Sequence, residues 1–447
     1  MTQSAIESKV LFFLSNNLLR QINSLVDQVK TGDLKGFEKC FRDLSNTFST
    51  QVAQVILTAG AEAAEPDLRL EAAKSGFGKL IKRSFTFRIF TGQTVSVLSL
   101  YARKIRRGYT GGRHLLALHW GIHKRASPVY FSNVCALSVM CPSFDITQQI
   151  LDLQGIKYDS ESIRRLVLHL STFCEERQVK FTLMPDETLA GKRVLLSLDG
   201  GRTRCRQYTG KQNKAGNETF TTNWNEPKMF VIALIDEQGK MEKKQFPIYG
   251  TMFDIDDIYD LLRSHLEALD IANAAQVQIA GDGAVWLWNR TKLLLLDLGV
   301  AEDKIVETLD YYHAMQHVYD LMKKVPEEKL QKGKFLKCVK DLLWNGKISQ
   351  LVSKFKRAIS NKKSDIKTEL QYFIKNNNRM QYAYFQENRL PVGSGIIESG
   401  IRRVINLRFK NSSSFWQQSN VEGLFFLRGI MLSGRWNNLI NQIVATK

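Results

Sequence analysis

The sequence predicts an α/β protein whose mixed sheet is interrupted by a helical insertion and preceded by a mainly helical N-terminal region. Three observations lead there. Between about residues 190 and 318, short apolar runs ending on acids alternate with stretches of helical period, as strands and covering helices do. From about Tyr319 to Arg389 the period becomes helical and the charge basic, which reads as an insertion and not as sheet. Residues 5–30 and 34–64 repeat apolar side chains at three and four.

Composition narrows the partner. The 447 residues carry 63 Lys and Arg against 44 Asp and Glu, a net charge of +19, which favours a polyanion: nucleic acid or an anionic membrane surface. The longest apolar runs, such as Leu293 to Leu296, fall far short of the roughly 20 residues a membrane span requires. No cationic, apolar, small-residue signal opens the chain, so a soluble cytoplasmic protein with a nucleic-acid partner and no membrane is expected. Six cysteines lie scattered without a C-x-x-C pair, which indicates reduced thiols and neither a zinc ribbon nor a disulfide framework. His119 and His123 share a helical spacing, but no nearby cysteine or carboxylate completes a zinc set.

In chain order, 1–66 is expected to be a helical region that ends at Pro66. Residues 67–143 hold a hairpin, read from the Phe85, Phe87, Ile89 alternation, a turn at Thr91 to Thr94, and Val95 with Val97. A basic, aromatic surface follows around Gly111 and Gly112, with Arg103, Arg106, Arg107 and Arg113 among Tyr101, Tyr109, His114 and Trp120. Residues 144–189 read as helix, turn at Gly155, helix and linker, with Asp159 or Ser160 capping the second helix. Arg164, Arg165 and His169 would be exposed on that helix, as on one that enters a major groove.

Residues 190–318 form the first part of the sheet domain, 319–390 the insertion, and 391–447 the final part. Val194 to Leu198 suit a strand covered on both faces, which ends on Asp199. Gly200 and Gly201 would let a ligand approach the backbone, and Arg202, Arg204 and Arg206 alternate onto one face. Met229 to Ile235 and Gln245 to Met252 pair as a hairpin, Val277 to Ala280 leads to Asp282, and Ile305 to Leu309 leads to Asp310 and His313. Ser394 would cap a helix carrying Glu398, with Arg402, Arg403, Arg408 and Lys410 as a basic track beyond it. Phe415, Trp416, Leu424 to Leu427 and Trp436 would anchor this last part.

Asp199 and Asp282 end strands that α/β topology sets side by side, and Glu398 arrives on a later helix. Three converging carboxylates repel one another, a penalty that two divalent cations reverse. A cation pair can serve the attacking and the leaving oxygen of a phosphodiester, and oxygen ligands select Mg²⁺ or Mn²⁺.

Five motifs stand in order on these elements: Asp199-Gly200-Gly201-Arg202, Trp224-Asn225-Glu226-Pro227-Lys228, Gly281-Asp282-Gly283-Ala284-Val285-Trp286, Asp310-Tyr311-Tyr312-His313-Ala314 and Gly393-Ser394-Gly395-Ile396-Ile397-Glu398-Ser399. Over about residues 190 to 440 the chain resembles bacterial insertion-sequence DDE transposases with an RNase H-like core, and its D-x-x-H element is similar to that of the Mutator, P-element and hAT branch. The resemblance implies that Asp199, Asp282 and Glu398 are the catalytic metal ligands, with Asp310 and His313 accessory. It implies binding of terminal repeats, metal-dependent cleavage of double-stranded DNA, strand transfer to a target, and a homodimer or larger synaptic complex. A transposase-derived DNA-binding protein without catalysis, or a nuclease that does not join, is the alternative.

Overall fold

Two units make up the chain: 1–173 with 436–447, and 174–435. The computed structural model describes residues 3–13, 19–75, 77–104, 112–176, 183–184, 186–242, 248–252, 254–330, 333–359, 365–410 and 415–445.

In the first unit the expected hairpin is longer than its sequence signal. Strand β1 (Phe77–Arg88) pairs antiparallel with β2 (Thr94–Lys104), and β2 with the short β3 (Gly112–His114). The turn closes at Gly92, whose φ of +78° suits glycine. The helix Leu34–Lys74 lies on this sheet and buries Ala61, Leu68 and Ala72 against Phe85, Phe87, Val95 and Val97. It runs straight through Pro66, where the sequence placed its end. An interior proline costs about 3 kcal/mol, and the apolar stripe on either side of it offsets that cost by packing on the sheet. A further helix, Pro128–Met140, was not anticipated.

The helix pair is Phe144–Leu153 and Ser160–Glu176, with Gly155 at φ +79° between them. Asp159, not Ser160, caps the second helix, its Oδ1 accepting from the Ser162 amide at 2.8 Å. Arg164 and Arg165 both pair with Glu161, at 2.7 and 2.8 Å. His169 corrects the expectation of a fully exposed residue: it sits half-buried among His123, Phe131 and Phe173, and burial, with Lys124 and His123 adding to it, pushes its pKa down to about 4. Arg106, Arg107, Tyr109 and Gly111 lie outside the described residues.

The terminal helix Trp436–Ala445 also differs from expectation. It belongs to this unit, not to the sheet domain: Leu439, Ile440 and Ile443 are buried, and Trp436 Nε1 donates to Ser132 Oγ at 2.9 Å.

The second unit is mixed α/β. Its strands are β4 (Arg193–Gly200), β5 (Thr203–Gln212), β6 (Glu218–Asn225), β7 (Lys228–Ile235), β8 (Ile248–Thr251), β9 (Gln276–Gly281) and β10 (Ile305–Leu309). Five form one sheet in the order β8-β7-β4-β9-β10. β4 runs antiparallel to β7 and β7 to β8, while β4, β9 and β10 are parallel. Val194 to Leu198 are all buried, as a central strand with both faces covered requires. The lone hydroxyl of that run, Ser197 Oγ, donates to the Ala280 carbonyl at 2.7 Å. β5 and β6 pair with each other as a two-stranded ribbon outside the five-stranded sheet.

The expected insertion is helical, with Lys334–Trp344, Ile348–Ala358, Asp365–Lys375 and Tyr382–Glu387 as its main helices. Phe335, Val339, Leu343, Leu351 and Phe355 are buried in it. Lys356 and Arg357 are exposed, and Lys362 with Lys363 lies outside the described residues. The chain returns to the sheet under polar control. Arg193 donates to the Asn388 and Arg389 carbonyls, both at 2.9 Å, and buried Gln278 donates to the Pro391 carbonyl at 2.6 Å.

The helix Gly395–Ile401 then packs on β4 and β7, passes through a π-helical turn, Arg402–Asn406, and resumes as Leu407–Phe409. A π turn spoils the regular register of carbonyl partners. The buried Arg428 guanidinium, from the helix Gln418–Leu432, donates to the Arg403 and Val404 carbonyls within the turn.

Candidate active site

The site follows from strand register. Ser197 pairs with Ala280, so Asp199 and Asp282 fall two residues further along adjacent parallel strands. Leu309 pairs with Gly281, which brings Asp310 into the same row. Glu398 reaches the row from the helix over β4 and β7.

Asp199 is the strained member. Its pKa is raised from 3.8 to about 6, first by burial and then by Asp282, with Glu398 adding to it; the Gly200 amide, donating at 2.6 Å, and His313 act the other way. Asp282 Oδ1 accepts from the Ala284 amide at 3.0 Å. Glu398 is half-exposed. The three expected metal ligands therefore share one electrostatic site, and every donor they offer is an oxygen. They do not close to within 4.8 Å of one another. The set that does so among the described residues is Asp310, His313 and Glu398.

Within that set Asp310 is committed to the protein. Its Oδ1 accepts from the His313 amide at 2.9 Å, and its Oδ2 from the Ser394 amide at 2.5 Å and the Ser394 hydroxyl at 2.8 Å. Burial works to raise its pKa, but the His313 side chain first, then the Ser394 and His313 amides and the Ser394 hydroxyl, prevail and hold it at about 2. Ser394 is thus no side-chain cap: its hydroxyl is spent on Asp310, which ties the start of the Glu398 helix to the start of the helix Tyr311–Met322. His313 Nδ1 lies 3.5 Å from Asp310 Oδ1 and 3.9 Å from Glu398 Oε1. Its pKa is raised, first by the Asp310 side chain and then, against burial, by the charges of Asp310, Asp282 and Glu398.

The glycines after Asp199 serve packing. A Cβ on Gly200 would stand 2.4 Å from Glu226 Oε1, and one on Gly201 2.3 Å from Ile405 Cδ1, so protein side chains occupy the space expected for a ligand. Arg202 is exposed beside them, and Arg204 lies over the rings of Trp224 and Phe415. Of the expected basic track, Arg402 and Lys410 are exposed and Arg403 is half-buried, its Nε donating to the Ser399 carbonyl. Arg408 is a correction: it is fully buried with its guanidinium 5.4 Å from the Trp416 ring centre, where packing on that ring holds it in the core, and it presents no surface to DNA.

Two neighbours were not assigned roles from sequence. Tyr372, on the insertion helix Asp365–Lys375, donates its hydroxyl to the Asp282 carbonyl at 3.3 Å, and burial keeps that hydroxyl protonated. No local pattern distinguishes it from Phe373 beside it on that helix. Lys228 pairs with Glu226 at 2.7 Å and lies 5.2 Å from the Trp286 ring centre; it stood within one of the five motifs.

The fold and site together define a mixed α/β unit with acids at the ends of adjacent parallel strands. No protein-family model and no curated relative matches the chain. Among solved structures it is similar to a Drosophila P element transposase strand transfer complex, at 12% identity and a TM-score of 0.27, over 70% of this chain and 80% of that one. So slight a likeness carries no argument, and the function rests on the site. No helix among the described residues is long and apolar enough to cross a membrane.

Proposed function

We propose that the 174–435 unit is an RNase H-like core and that the protein is a DNA transposase of an insertion sequence, cleaving element ends and joining them to target DNA. One observation carries this reading: Asp282 and Glu398, from two further elements, come near enough to the buried Asp199 to help raise its pKa. Such crowding destabilises an apo protein and has a use where cations relieve it. The all-oxygen donor set fits Mg²⁺ or Mn²⁺, held by Asp199, Asp282 and Glu398. Bound there, a cation pair would supply positive charge to the attacking and leaving oxygens of a phosphodiester.

The chain's own groups do the rest. Asp310 fixes His313 and the start of the Glu398 helix, Tyr372 steadies the Asp282 loop, and Arg202, Arg402 and Lys410 meet phosphate oxygens at the rim. Arg164 and Arg165 are the proposed DNA contacts of the helix pair. Bringing two element ends together calls for a dimer or larger synaptic complex, which sizing of the DNA-bound protein would establish or refute.

The test incubates DNA from the ends flanking the gene with Mg²⁺ and either the wild-type protein or Asp282→Asn. Cleavage and joining by the wild type, both lost in the variant with binding kept, is the expected result. Binding by both proteins and cleavage by neither, in Mg²⁺ or Mn²⁺, would overturn the catalytic reading and leave a DNA-binding protein.

A further inference from the structure

The ribbon β5-β6 begins four residues after Asp199, and what it displays is unlike the rest of the unit. Register puts Arg204, Arg206 and Tyr208 on one face, opposite Trp224, Thr222 and Phe220. Tyr208 is 45% exposed, Phe220 37% and Trp224 56%, large rings left partly open although Phe415 packs 5.8 Å from Phe220. The arginines are laid along them. Arg206 sits 4.7 Å from the Phe220 ring centre, and Arg204 lies 5.5 Å from Trp224 and 4.8 Å from Phe415. Arg204, Arg206, Lys211 and Lys214 stand against one acid, Glu218.

The ribbon is tied down along the free edge of β5 and through the buried Cys205 on its other face. Cys205 is buried and bridges to Trp416, while the Arg206 amide donates to the Trp416 carbonyl at 2.7 Å. Further out, the ribbon holds itself together by a Thr209–Thr219 hydroxyl bond of 2.6 Å and an Asn223–Gln207 bond of 2.6 Å. A two-stranded ribbon is at best marginally stable alone, so exposed rings on one are a poor choice unless something covers them.

We infer that this face binds unpaired DNA beside the cut, its rings stacking on bases and its arginines and lysines meeting the phosphates; the inference rests on the transposase reading for its choice of DNA. Flat rings accept any base that has left the duplex, and guanidinium planes held against rings present their donors outward. A protein partner would find four cations on the ribbon to neutralise, whereas a nucleic-acid strand supplies the matching charge. The short link to Asp199 sets this strand next to the acids.

The probe is a synthetic DNA duplex with a single-stranded flank containing 2-aminopurine, bound by the full chain in chelator without divalent metal, beside a blunt duplex of the same sequence. Wild-type protein should bind the flanked DNA more tightly and quench the probe. Tyr208→Ala and Trp224→Ala should each weaken binding to the flanked DNA by about five- to 150-fold, leave the blunt duplex nearly unchanged, and abolish the quench. Trp224→Phe, which keeps a ring, should restore most of the loss. Equal weakening on both DNAs, no weakening, or a change in oligomeric state without a change in DNA affinity would each overturn the inference. Cleavage is scored separately in Mg²⁺. A wild-type protein that cuts but shows no preference for the flank refutes the ribbon alone, and one that prefers the flank but never cuts refutes the catalytic reading alone.

Discussion

The five-stranded sheet and the two-stranded ribbon are built from one continuous stretch of chain, and they solve opposite problems. β4 is buried over Val194 to Leu198 and delivers its charge only at its end. β5 begins three residues later, and from Arg206 to Gln212 it is exposed. The sheet end buries Asp199 beside Asp282, which raises the Asp199 pKa and stores repulsion. The ribbon spreads cations and rings where nothing confines them. Repulsive charge needs a rigid frame to hold it, whereas attractive charge needs only reach. That contrast accounts for a site anchored on central strands beside a binding surface on a projection.

The comparison can be broken at four points, in descending order of effect. Asp282→Asn should lower cleavage by at least about a thousandfold, because cation-derived charge stabilisation is worth several kcal/mol. Single-turnover rates on end DNA check this, and a variant that cut at near wild-type speed would remove Asp282 from the chemistry. Asp310→Ala should cost about 2–5 kcal/mol of stability, since it strands the buried Ser394 amide and hydroxyl. An unchanged denaturation midpoint would show that Ser394 finds other partners.

Asp199→Asn should act in the other direction. With the folded pKa raised from 3.8 to about 6, the folded chain binds more protons across that interval, and stability falls as pH rises through it. The neutral amide escapes this loss, so in chelator the variant should be about 1–3 kcal/mol more stable than wild type above a pH of about 6, and the gain should vanish below about 4. A variant that lost stability at neutral pH would mean that the carboxylate is favourably held. Smallest is the ribbon itself: Trp224→Ala should move thermal stability by no more than about 1 kcal/mol, because exposed rings contribute little to folding. A large fall would make the ribbon part of the core.

The sheet was legible because its residues obey simple rules. Apolar runs stop at Asp199, before Asp282 and at Asp310, and burial on both faces permits only such runs. The insertion was legible from its helical period. Features that tertiary packing decides were not. Pro66 signals a stop that the stripe on both sides overrules, and Arg408 has the charge of a surface residue but the position of a core one. Beyond the alternation of Arg202, Arg204 and Arg206, the ribbon's Thr, Gln and Asn residues give no strand signal, since neither face of its outer part is buried. Within the site, the apolar runs put Asp199, Asp282 and Asp310 at or just beyond strand ends, whereas the grouping of His313 and Glu398 with them is what the family resemblance implied. The division of labour inside it, with Asp310 bound to Ser394 and Tyr372 arriving from the insertion, depends on contacts between segments far apart in the chain.

The π turn at Arg402–Asn406 has a consequence for phasing. Each α-helical residue advances the chain by roughly 100° about the axis, so one residue more or fewer turns everything on one side relative to the other. Phe409 is anchored among Trp416 and Phe425, which makes the turn the dial that sets the direction of Glu398. Deleting Val404 should change the phase of the turn and swing the carboxylate out of register with the strand ends; it removes no reacting group, although buried Arg428 loses the carbonyl that accepts from its Nε. Loss of cleavage with end-DNA binding retained would show that the aim of this acid is fixed by a count of residues.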